Sequence, residues 1–113
     1  MMIKTMIHVD ETEKWPMALG NAQNLVAYCR ETGLDWVVEL VANGDAVTAL
    51  QRSSAVHGLA ELLAQGVAVA ACHNALRGNG IDPADLYPGV TVVPAGVVEL
   101  VRRQGEGYAY IKP

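Results

Sequence analysis

The chain has 113 residues, 51% of them apolar and 18% charged, and a formal net charge of −4. That length and composition exclude a disordered segment and fit one domain, residues 1–113, built around a single sizeable core. Basic residues are thinly spread, with Arg102-Arg103 the only adjacent pair, which excludes a nucleic-acid footprint. No apolar run is long enough to span a bilayer, so no membrane contact is expected.

Met1-Met2-Ile3-Lys4 leads straight into a strand pattern without a signal-peptide core, so the expected compartment is the cytoplasm. The two cysteines, Cys29 and Cys72, are then expected to be reduced. Ile3 to Val9 reads as the first strand. Asp10-Glu11-Thr12-Glu13 forms a loop and helix start, with Thr12 as the N-cap. From Lys14 to Glu31 the spacing of Leu19, Ala22, Leu25, Val26 and Cys29 predicts a helix, with Pro16 in its first turn and Gly33 ending it. Trp36 to Ala42 is a second strand, stopped by Asn43-Gly44, and Asp45 to Leu50 a short helix. A further helix, capped by Ser53 or Ser54, runs through Leu59 and Leu62-Leu63 to Gly66.

Val67 to Cys72 is nearly continuous in apolar character, as a strand covered on both faces requires. His73 to Gly80 is a short helix or turn, and Asp82 caps a turn that has Pro83 at its first position. Val90 to Val93 is the fourth strand. Val97 to Val101 lies in a helix that Gly105 and Gly107 end, and Tyr108 to Ile111 is a short closing strand. Strands alternating with helices imply crossover connections, hence an α/β fold with a parallel or mostly parallel sheet and helices on both faces.

In such sheets chemistry collects at the carboxyl ends of the strands. That rule selects His8, Asp10 and Glu11 after the first strand, Asn43 and Gly44 after the second, Cys72, His73 and Asn74 after the third, and Pro94, Ala95 and Gly96 after the fourth. Cys72 admits two readings. A thiolate there draws support from the amides of residues 73 to 79 and from the positive charge of Arg77 or His73. A plain thiol there is a small hydrophobe in a core. Cys29 lies on the apolar stripe of the first helix and belongs to the core. The two form no Cys-x-x-Cys pair, so dithiol exchange is not expected. His8 is either a base for a thiol, with Asp10, Glu11 or Cys72 as neighbour, or a half-buried ring satisfied by backbone. His57 is a surface or packing residue. Three scattered histidines do not give metal-ligand spacing, and Gly78-Asn79-Gly80 lacks the rest of a phosphate-binding fingerprint, so neither metal nor cofactor is expected. Glu39, between Val38 and Leu40, needs a partner or an exposed edge.

These segments also carry a resemblance. His8-Val9-Asp10-Glu11 with Lys14-Trp15-Pro16, Val41-Ala42-Asn43-Gly44, Ala71-Cys72 with Asn74 and Leu76-Arg77-Gly78, Val93 to Leu100, and Gly107 to Ile111 together resemble the DsrE/DsrF-like family over almost the whole chain. The resemblance implies a three-layer α/β/α sandwich with a five-stranded, mostly parallel sheet. It also implies assembly into dimers, trimers or hexamers. In sulfur-relay members a cysteine accepts a persulfide sulfur and passes it to a partner protein, and Cys72 lies where that cysteine is expected. The resulting expectation is a single-cysteine sulfur carrier with Cys72 as its reactive residue, supported by His8, Asp10, Asn43, Gly44, His73, Asn74, Arg77 and Pro94. Its partners would be sulfur-donor and sulfur-acceptor proteins. The alternative is a non-catalytic oligomeric module that binds a ligand or a protein, with Cys72 as packing.

Overall fold

A computed structural model describes residues 1–113. Five strands, β1 (Met2–Val9), β2 (Asp35–Ala42), β3 (Ala68–Cys72), β4 (Thr91–Val93) and β5 (Ala109–Ile111), form one sheet in the order β4-β3-β2-β1-β5. Every neighbouring pair is parallel, so the expected sheet is found in its fully parallel form. The helices are α1 (Trp15–Thr32), α2 (Leu59–Ala64), α3 (His73–Gly78) and α4 (Gly96–Gly105).

The strand order explains the layering. From β1 to β4 each connection steps in the same direction across the sheet, and right-handed crossovers therefore place all the intervening segments on one face. The last connection runs back from β4 past the whole sheet to the far side of β1, so α4 crosses on the opposite face. The first face carries the main core. Ile7, Val9, Leu40, Ala42, Val69 and Ala71 from the strands meet Trp15, Ala18, Leu19, Ala22 and Val26 of α1, Leu59 and Leu62 of α2, and Leu76 of α3. The α4 face carries a much smaller cluster, Met6, Val41 and Leu100, flanked by Tyr108.

Local chemistry sets the ends of α1. Pro16 sits in its first turn, and Gly33, at φ 71°, adopts the left-handed conformation that ends it. Thr12 does not cap the helix. Residues Thr12–Lys14 form a 3-10 turn that feeds directly into α1, and Lys14, just before the helix, is already helical at φ −84° and ψ −10°. A capping side chain needs an extended residue at that point, and none exists here. The helix expected from Ser53 or Ser54 also starts later. Arg52–Ser54 is a separate 3-10 turn, Ser54 Oγ donates to Thr48 O at 3.2 Å, and Gly58 at φ 98° breaks the path before α2 begins at Leu59. Gly44–Leu50 is a 3-10 helix that buries Ala46, Val47 and Leu50. Asp82 behaves as its position predicts, its carboxylate accepting from Ala84 N at 2.9 Å ahead of Pro83.

Candidate active site

At the carboxyl edge the chain leaves β3 toward one face of the sheet, into α3, and leaves β4 toward the other, into α4. Adjacent strands whose outgoing segments diverge leave a crevice between them, and this is where open parallel sheets place their ligands. Cys72 ends β3 and pairs in register with Val93 of β4, while Ala71 pairs with Ala42 of β2. The next residues across the edge are therefore Asn43 and Cys72, one strand spacing apart, about 4.8 Å.

Gly96, the first residue of α4, closes the crevice. A Cβ placed on Gly96 would lie 3.0 Å from Asn43 Cβ, 3.4 Å from Cys72 Cβ and 3.5 Å from Asn43 Nδ2. The absent side chain lets the α4 backbone pack directly against the cysteine and the Asn43 side chain, a contact too tight for a Cβ to enter without a shift. Neither α3 nor α4 has a side-chain cap at its start, so first-turn amides are left unpaired at this edge. Cys72 keeps 6% of its surface exposed, whereas Cys29 keeps 0% in the core beneath α1. The three larger surface cavities lie elsewhere, the biggest, of about 520 Å³, between α1 and the start of α2.

His8 is held by side chains rather than by backbone. Its Nε2 is 2.9 Å from Asn43 Oδ1, and its Nδ1 is 2.6 Å from the Tyr110 hydroxyl. An amide oxygen only accepts, so Nε2 carries the proton, and in the neutral ring Nδ1 accepts from Tyr110. The neighbours expected for His8 (Asp10, Glu11 or Cys72) are thus replaced by Asn43 and Tyr110. Tyr110 reaches His8 because β5 adds to the outer side of β1, pairing Tyr110 with Met6, on the same sheet face as His8.

The remaining expected residues divide. Gly44, at φ 55°, turns the chain against Asp10 O, which a Cβ there would meet at 3.1 Å. The Asp10 carboxylate accepts from Lys112 Nζ at 2.8 Å, which holds it below the usual carboxylate range. It follows β1, two strands from Cys72, roughly 10 Å away by strand spacing. Pro94 leads from β4 into α4 beside the crevice. His73 and Asn74 open α3 next to Cys72. Arg77 stands in the last turn of α3, exposed and without an ion pair, about 7 Å further along the helix axis than Cys72. Tyr110 is the neighbour that strand-end reasoning missed, while Gly96, selected after the fourth strand, meets Asn43 and Cys72.

Farther along the α4 face, Glu39 has found its partner. Arg103 Nε lies 3.2 Å from Glu39 Oε1 and 3.1 Å from Glu99 Oε2, while Arg102 Nη2 lies 2.8 Å from Glu99 Oε1. Burial, and then the hydrogen bond and charge of Glu99, push Glu39 up to about 7. Burial works against Glu99 as an anion, but hydrogen bonds from Glu39, Arg102 and Arg103 prevail and hold it low. Of the two carboxyls gathered at Arg103, Glu39 is therefore the one pushed toward its neutral form and Glu99 the one held as an anion. This network ties α4 to β2 and so fixes where Gly96 meets Cys72.

A fully parallel five-stranded sheet between unequal helical layers, with one cysteine at its switch-point crevice, defines a class of small α/β proteins. The chain belongs to the DsrE/DsrF-like family, whose family model matches residues 8–113. Among solved structures it is similar to MTH1491 of Methanobacterium thermoautotrophicum, described as a protein of unknown function. The two are 38% identical, with 99% of this chain and 98% of that chain covered, at a TM-score of 0.84. It is also similar to the YchN protein of E. coli, at 26% identity over 98% of this chain and 99% of that one, with a TM-score of 0.72. No curated protein is significantly similar in sequence.

Proposed function

We propose that the protein is a persulfide carrier in a sulfur relay, with Cys72 as the residue that holds the sulfur. In the loading step the Cys72 thiolate attacks the outer sulfur of a donor persulfide. The Cys72 Sγ–S bond forms, the donor's S–S bond breaks, and the donor leaves as a thiolate. In the unloading step an acceptor thiolate attacks that same outer sulfur and Cys72 departs as thiolate. Each step exchanges one S–S bond for another, so no external oxidant, reductant or cofactor is needed.

The observation that carries this reading is that Cys72, at the carboxyl edge and not fully buried, has the uncapped start of α4 packed directly against it. That approach depends on Gly96 carrying no side chain. Unpaired amides and the positive end of a helix favour an anion there. No ion pair supplies a cation to the crevice, since Arg77 stands a turn away, so the amides replace it as the support of the outer sulfur. Membership of a family that includes sulfur-relay proteins supports the same reading.

An apolar stripe on the outer side of α4, Val97, Val98 and Val101, is 57–65% exposed. Exposed stripes of this kind favour association, and they support a homo-oligomer, a dimer, trimer or hexamer, working in the cytoplasm with donor and acceptor proteins. The loading test is peptide mass spectrometry after incubation with a small-molecule persulfide. One added sulfur on the Cys72 peptide is expected. An unmodified Cys72 beside a modified control thiol would overturn the carrier reading and leave an oligomeric binding module.

A further inference from the structure

Little apolar surface holds α4 on its face of the sheet. Of its side chains only Leu100 enters the cluster with Met6 and Val41. Beyond that cluster the hold passes to charged groups. Glu39 of β2 and Glu99 of α4 are both buried, with side chains 5% and 4% exposed. Both meet one nitrogen: Arg103 Nε donates to Glu39 Oε1 at 3.2 Å and to Glu99 Oε2 at 3.1 Å. Arg103 Nη1 also donates to Glu106 Oε1 at 2.9 Å, Arg102 Nη2 donates to Glu99 Oε1 at 2.8 Å, and Arg102 Nη1 lies 3.7 Å from Glu106 Oε2.

Two guanidinium groups thus serve three carboxyls. Glu99 and Glu106 are each reached by both arginines, whereas Glu39 has one nitrogen, already shared. The adjacent strands add no cation beside it, since its register partners are Met6 in β1 and Ala68 in β3. Lys4 of β1 donates to Glu106 O at 3.0 Å and makes no ion pair, while the Tyr108 ring lies 6.0 Å from Lys4 Nζ and 5.1 Å from Arg103 Cζ. The Tyr110 hydroxyl is engaged by His8. An ionised Glu39 is therefore a surplus buried charge, and burial, with Glu99 beside it, raises its carboxyl to about 7.

The surplus arises at one end of a helix whose other end touches Cys72. Arg103 lies about 10 Å along the axis from Gly96, where α4 packs on Asn43 and Cys72 too closely for a Cβ. We infer that Glu39 is a positioning residue for the Cys72 site and that the cluster is a proton-operated clamp: with Glu39 neutral α4 is seated against Cys72, and with Glu39 ionised the seat loosens. The clamp follows from the cluster; its effect on sulfur rests on the carrier reading above. Unseating α4 opens Glu39 to water and returns its carboxyl toward 4.5. By linkage the seat is firm below about 4.5 and weakens as pH rises to about 7.

The test uses the intact protein and Glu39→Gln, which stays neutral at every pH. An unseated α4 is too short to keep its helix alone, so hydrogen exchange of its amides, corrected for the intrinsic effect of pH, reports the seat without sulfur chemistry. In the parent, protection of α4 should fall at least about tenfold between about pH 5 and about pH 8, with the α1 core amides slower throughout, and in Glu39→Gln it should stay level. An equal fall in the variant, or α4 amides that exchange only together with those of α1, would overturn the inference. The second readout is the rate of sulfur loading on Cys72 from a small-molecule persulfide, as the ratio of variant to parent, in which the titration of donor and thiol cancels. That ratio should be near one at about pH 5 and rise about threefold or more by about pH 8. A level ratio would overturn control of Cys72 by the clamp. If Glu39→Gln fails to fold, Glu99→Gln removes the charge that helps to push Glu39 up, and the fall in protection should move to lower pH; an unmoved fall also overturns the inference. No loading in any variant or in the parent, with the exchange result as expected, would defeat only the carrier reading.

Discussion

The two faces of the sheet differ in what they are for. The α1 face packs 21 buried apolar residues into one cluster, while the α4 face has three, and polar groups fill the rest of its length. On that second face lie Glu39, Glu99 and Arg103 at one end and His8, Asn43 and Cys72 at the other. The cause is topological: all but the last crossover step the same way, so one face receives nearly all the covering segments and the other a single helix. A thinly covered face is also where a crevice can stay open. Stability is concentrated on one side, and the groups able to do chemistry on the other.

The sharpest way to break this comparison is to truncate one large side chain on each face. Trp15 is 1% exposed, and its Nε1 donates to Ala46 O at 2.9 Å. Trp15→Ala should cost about 3–5 kcal/mol in urea unfolding, and Leu100→Ala, at the shallow α4 cluster, nearer about 2 kcal/mol. Equal losses would show that the α4 face contributes as much core as the other.

A smaller and pH-dependent effect tests the carboxyl pair. Glu39 is raised to about 7 in the folded protein, above its ordinary value of 4.5, so between those limits the folded state binds more protons than the unfolded one. Stability from this group is then full below about 4.5 and falls as pH rises toward 7, by about 3 kcal/mol. Glu99, held low, acts in the opposite sense at lower pH. Glu39→Gln should flatten the decline between pH 5 and 7 in denaturation experiments run across that range. A variant with the same slope as the parent would contradict the upward shift of Glu39.

The smallest change in stability, with the largest consequence for chemistry, belongs to Gly96→Ala. An alanine there favours the helix but meets Asn43 Cβ at 3.0 Å, so the net change should stay within about 1 kcal/mol. The added methyl pushes the start of α4 away from Asn43 and Cys72, and sulfur loading of Cys72 should drop by at least tenfold. Undiminished loading would show that the start of α4 does not support the outer sulfur.

Much of this was legible in the sequence because it is local. The strand and helix alternation, Pro16 and Gly33 at the ends of α1, the Asp82 cap, and the gathering of His8, Asn43 and Cys72 at strand ends all follow from short-range pattern. The errors have local causes too. Thr12 loses its capping role to a 3-10 turn, and Ser53 and Ser54 lose theirs to the positive φ of Gly58. What sequence could not supply is the placement of β5 beside β1. Tyr110 and His8 are 102 residues apart, as are Lys112 and Asp10, and no periodicity relates them. The real partner of His8, and the diversion of Asp10 to Lys112, depend on that single long-range pairing.

The central claim is that Cys72 alone carries sulfur. Its most direct test follows the outer sulfur of an isotopically labelled persulfide donor through the protein to an acceptor thiol, in the parent, in Cys72→Ser and in Cys29→Ala. The account predicts transfer in the parent, retained transfer in Cys29→Ala because that thiol is fully buried in the α1 core, and none above background in Cys72→Ser. Undiminished transfer through Cys72→Ser, or none through the folded parent, would contradict it.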